Sequence, residues 1–125
     1  MAVEVFVFQE YVSIDFTGVE RLLTLKGHLE VPMRDIASAR VASLSEVRQG
    51  LGWRVGGSYW PGRLVTGHFT VRDQPGARQL WCVQRDVEVL VIETRLERPR
   101  RIVLQHPDRH DIAWLIGERL PEATA

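Results

Sequence analysis

Four arginines fall within seven residues near the end of the chain: Arg95, Arg98, Arg100 and Arg101. Guanidinium groups hold planar anions through paired N–H donors. The cluster is therefore a candidate grip for phosphate, anionic lipid or an acidic protein surface. The competing reading is a solvated turn whose arginines pair with Glu93 and Glu97. A second candidate lies upstream in residues 45–62, where Trp53, Tyr59 and Trp60 are interleaved with five of the ten glycines. Aromatic residues and arginine dominate interface energetics, so Trp53, Arg54, Tyr59, Trp60 and Arg63 form the candidate partner-binding set. The plainer alternative is that Trp60 plugs the mouth of a barrel and the glycines only supply turns. Gly50-Leu51-Gly52 is not a dinucleotide fingerprint, because the next glycine falls at 56 and no helical pattern follows.

Other reactive residues point away from catalysis. His106 and His110 are four apart, a spacing that zinc sites use on a helix. Pro107 separates them, so His106 falls outside any helix that carries His110, and no further cluster completes a metal shell. Asp108 and Asp111 then read as helix-start residues. Cys82 sits between Trp81 and Val83 in an apolar run, where a thiol behaves as a small buried hydrophobe. His28 and His68 stand alone in sequence. No nucleophile elbow, phosphate loop or paired-carboxylate motif is present. A non-enzymatic protein without metal or cofactor is the expectation.

Composition narrows the partner classes. The 125 residues suit one domain, 45% hydrophobic and 26% charged, as in ordinary globular proteins. Sixteen basic residues balance sixteen acidic ones, which removes the whole-molecule case for nucleic-acid binding. Lys26 is the only lysine, a bias that points to a GC-rich bacterial genome. One cysteine precludes an internal disulfide and fits a reducing compartment. The opening residues lack the pattern of a secretory leader, and no apolar run approaches the ~20 residues that cross a bilayer. A cytoplasmic location is expected.

The elements that must position these residues are mostly strands. Val3 to Phe8 and Tyr11 to Phe16 alternate with period two, as a hairpin through Gln9-Glu10 or as one long bent strand. Val19 to Leu25 suits a helical turn or a strand. Strands are expected around Leu29–Val31, Ile36–Val41 and Arg63–Val71, with 45–62 as a long glycine-rich loop between the last two. Asp73-Gln74-Pro75-Gly76 reads as a turn. Leu80–Gln84 and Val87–Thr94 follow, joined by Arg85-Asp86. Val87 to Ile92 is apolar on both faces, the signature of a central strand. After a last strand at 101–105, Pro107 introduces a helix with its apolar stripe at Ile112, Leu115, Ile116 and Leu120. Pro121 ends it, and residues 121–125 should fray.

The order of these pieces resembles small bacterial pleckstrin-homology-like domain proteins. The resemblance runs through Glu20 to Gly27, Leu29-Glu30-Val31-Pro32 with Ile36, and Trp60-Pro61-Gly62-Arg63 with Gly67 and Phe69. It continues through Trp81, Arg85, Val89 to Glu93, Arg101 to Leu104 and Pro107-Asp108. It implies a mainly β (α+β) fold: a split β-barrel of about seven antiparallel strands capped by a C-terminal helix, spanning residues 3–120 as one domain. It also implies a binding or scaffolding module that works through protein partners or self-association. An anionic membrane surface gripped by Arg95, Arg98, Arg100 and Arg101 is the alternative. In lipid-binding members a basic loop joins the first two strands; here Gln9-Glu10 or Gly18, Glu20 and Arg21 occupy that position.

Overall fold

The computed structural model describes residues 3–17, 27–60, 64–84 and 88–120, with the side chains of 54–60, 64, 65 and 75 outside that description. The segments Val19–Leu25 and Arg85-Asp86 and the tail 121–125 lie outside it as well. Within these bounds the chain is mainly β, with nine strands in two sheets and a helix near its C-terminus.

Alternating valines build the smaller sheet. Strand β1 (Val3–Val7) pairs antiparallel with β2 (Tyr11–Phe16), Val3 opposite Phe16 and Val7 opposite Val12. The hairpin alternative is the one adopted: the Phe8 N–H donates to the Tyr11 carbonyl at 2.9 Å. Strand β3 (His28–Pro32) adds to β2, with Val31 opposite Val12. Pro32, with no N–H to donate, ends the strand, and a 3-10 turn (Met33–Asp35) leads into β4 (Ile36–Ser43).

A short helix, α1 (Leu44–Arg48), comes next, and then β5 (Leu51–Trp60), β6 (Leu64–Val71), β7 (Gln74–Gln84), β8 (Glu88–Thr94) and β9 (Arg101–Leu104). The six-stranded sheet runs β4-β8-β9-β7-β6-β5. Its β7–β9 pair is parallel and the others are antiparallel. As the two-sided apolar pattern of β8 requires, that strand is internal, between β4 and β9. The expected turn at 73–76 moves upstream: Val71 faces Gln74 across a two-residue turn, and Asp73 takes the positive φ (65°) that aspartate tolerates.

Two corrections follow. Residues 45–62 are not a long loop, because 44–48 are helical and 51–60 form an edge strand. The described strands number nine rather than about seven, and the sheets do not close into a barrel.

Each face of the larger sheet carries its own core. On one face Leu80, Cys82, Leu90, Ile92, Ile102 and Leu104 meet Val12, Ile14 and Phe16 of the small sheet. Ile112 and Ile116 of α2 (Arg109–Arg119) complete that cluster and Leu120 packs against it, whereas Leu115 of the expected stripe is not among its members. On the other face Phe69, Trp81, Val83, Val89, Val91 and Val103 pack with Val47 of α1. The Phe69 and Trp81 rings meet edge to face, with centroids 6.5 Å apart.

Candidate binding site

The entry to β5 is assembled from local chemistry. Ser43 caps α1, its hydroxyl accepting the Glu46 N–H at 3.3 Å. Val47 anchors the helix in the core, and the chain turns at Gly50, whose N–H donates to the Val47 carbonyl. A Cβ at Gly50 would lie 2.5 Å from Arg101 Nη1, so a side chain there would displace the guanidinium. At Gly52 a Cβ would overlap Thr70 Oγ1 and come within 2.7 Å of the Thr70 carbonyl oxygen. Only glycine allows this approach, which brings the Trp53 N–H to Thr70 Oγ1 at 2.7 Å.

Gln79 locks this corner from beneath. It is fully buried, and its Nε2 donates to the carbonyls of Gly50 and Thr70, both at 2.9 Å. Its Oε1 accepts the Trp81 indole N–H at 2.8 Å. The amide thus uses both N–H groups and its carbonyl, tying the α1–β5 turn, β6 and β7 together.

Above this rigid base stands Trp53, 83% exposed. Leu51, Gly52 and Trp53 form a wall shared by two recesses of about 750 and 710 Å3. Phe69, Ser45, Arg48 and Gln49 complete the first. Thr70, Val71, Arg72, Asp73, Gln74 and Arg78 complete the second. The groove therefore pairs an apolar floor with arginine at its rim, at the free edge of the larger sheet.

The predicted aromatic set is brought to this edge in part. Trp53 stands in the groove wall. Arg54, Tyr59 and Trp60 lie on β5, with Tyr59 opposite Val65 and Trp60 opposite Leu64; their side chains lie outside the described residues, as does all of Arg63. Arg48, Arg72, Arg78 and the positioning residue Gln79 were not singled out from sequence. The Ser43-Leu44-Ser45-Glu46 pattern is the signal for α1, and so for Arg48. A glutamine directly ahead of the apolar run Leu80–Val83 was the signal for a buried amide.

The predicted arginine cluster is built into the fold. Arg95 donates to the carbonyls of Arg34 and Ile36 at 2.9 and 3.0 Å. Arg100 reaches the Leu96 carbonyl at 2.6 Å and Gln74 Oε1 at 2.9 Å. Arg101 pairs with Glu93 through Nε at 2.9 Å. Arg98 makes a longer contact, 3.4 Å to the Gly76 carbonyl.

Elsewhere, Cys82 is buried in the core. His106 lies before α2, where its Nδ1 accepts the Asp108 N–H at 3.0 Å while the Asp108 side chain makes no cap bond. On the small sheet, His28 bonds Asp15 at 2.5 Å and Glu30 at 2.8 Å, and these hydrogen bonds raise its pKa above 6.5. Among the described residues no group of three histidine, cysteine, aspartate or glutamate side chains is placed to hold a metal. None of their helices is long and apolar enough to cross a membrane. No family model, curated protein or solved structure matches the chain.

Proposed function

We propose that the protein is a non-enzymatic binding module of the pleckstrin-homology-like kind that takes up an extended protein segment at the start of β5. The carrying observation is an indole left 83% exposed on a backbone held by Thr70 and Gln79. An aromatic anchor whose backbone is fixed before binding loses little further entropy on contact. Strand β5 is also a sheet edge, so the backbone groups facing away from β6 can pair with an added strand. The fold-level part of the reading rests on the two β layers and the C-terminal helix packed into their common core.

The anionic-membrane alternative is less well supported. Arg95, Arg100 and Arg101 each hold acceptors of this chain at 3.0 Å or less.

The test is selection of short random peptides on the immobilised full chain, followed by titration of the selected peptides against the wild type and Trp53→Ala. Loss of a central aromatic anchor is expected to weaken binding by about 30-fold, or ~2 kcal/mol. Equal affinity for both proteins would remove the groove as the site. Co-sedimentation with anionic but not neutral vesicles, lost in Arg98→Ala and unaffected by Trp53→Ala, would favour the membrane alternative.

A further inference from the structure

We infer that the segment bound in the Trp53 groove is acidic, carrying aspartate or glutamate beside an apolar residue. The inference rests on the groove being a protein-binding site. The recess lined by Thr70 to Gln74 holds two arginines, Arg72 and Arg78, against one acid, Asp73, and Arg48 lines the neighbouring recess. The whole chain, with sixteen charges of each sign, is neutral. The excess is thus local to the groove rather than a property of the surface at large.

Among the described residues neither Arg72 nor Arg78 stands in an ion pair. Glu46 of α1 faces Arg40 at 3.9 Å, and Glu93 bonds Arg101 at 2.9 Å. The rim arginines keep donor capacity. Arg72 makes one long contact, 3.4 Å to the Gln49 carbonyl, and Arg78 one bond, 3.1 Å to the Ala77 carbonyl. A guanidinium carries five N–H donors, so both retain several to offer a carboxylate. The apolar half of the specificity comes from Leu51, Phe69 and Trp53. A ligand with charge alone would leave that surface wet, and one with apolar groups alone would desolvate the arginines without compensation.

The experiment uses the same selection of random peptides and reads their composition. Peptides that need Trp53 are expected to be enriched in aspartate and glutamate. Their affinity should fall about tenfold in the double variant Arg72→Gln, Arg78→Gln and fall with added salt on the wild type. Thermal melting confirms that the variant is folded, and the salt series stands independently of it. Trp53-dependent peptides without acidic enrichment, bound equally by the double variant, overturn the inference and leave the binding site standing. Absence of any Trp53-dependent peptide overturns both. A Trp53-dependent dimer of the chain, or Trp53-dependent binding of a single-stranded oligonucleotide in place of acidic peptides, overturns the inference by naming another occupant.

Discussion

The turn at residues 95–101 and the groove around Trp53 are both rich in arginine, and they use it in opposite ways. In the turn, guanidinium groups reach backward: Arg95 gathers the carbonyls of Arg34 and Ile36, and Arg100 that of Leu96. Carbonyls at chain reversals have no ladder partner, and arginine supplies the missing donors. In the groove, Arg72 and Arg78 make one backbone contact each beside an exposed indole. The density of charge along a sequence does not separate these uses. The number of unpaired carbonyls within reach does.

Substitutions can break that contrast. The largest effect is expected at the base of the groove. Gln79→Leu would strip donors from the Gly50 and Thr70 carbonyls and the acceptor from the Trp81 indole, lowering stability by about 3 kcal/mol in urea titration. A smaller loss would mean that the corner is held by packing alone. Gly52→Ala should follow, at about 2 kcal/mol, because the new methyl meets Thr70 backbone that cannot move away. In the turn, Arg95→Ala should lower stability by about 1 kcal/mol, whereas Arg98→Ala, with its single long contact, should stay within about 0.5 kcal/mol. Equal effects at the two arginines would erase the distinction between structural and solvated guanidinium groups.

Smallest is the His28 effect. Its folded-state pKa is raised, so protonated His28 favours the folded state most fully below the ordinary value of 6.5. That contribution fades as pH rises through the raised value. The stability difference between wild type and His28→Gln should therefore shrink from mildly acidic to alkaline pH. A difference that grows with pH would refute the assignment.

Much of the fold was legible because its signals are periodic. Alternating valines place β1, the two-sided apolar run of β8 makes it internal, and the stripe at Ile112 and Ile116 is what α2 buries. Residues 45–62 were read as a loop because glycine normally interrupts strands. Gly52 is instead a packing requirement: Thr70 fills the space where a side chain would stand, which no local pattern reveals. The same holds for the site. Trp53 was visible as an aromatic among glycines, but Arg72 and Arg78 reach it only through the β6–β7 turn. The turn arginines looked functional because the carbonyls they hold lie as far away as Arg34, outside any sequence window.

The position of β9 has a consequence for how the molecule is made. Synthesis delivers β5, β6 and β7 in succession, and then β8, which pairs with β4. These blocks share no strand until Arg101–Leu104 slides between β7 and β8. Before that moment a growing chain presents two raw strand edges, at Leu80-Trp81 and at Leu90-Val91, both wholly covered in the finished protein. Any delay in placing Arg101–Leu104 while the chain folds leaves both edges open to pairing with other chains, so this four-residue insertion is the step that closes the larger sheet against edge-to-edge association.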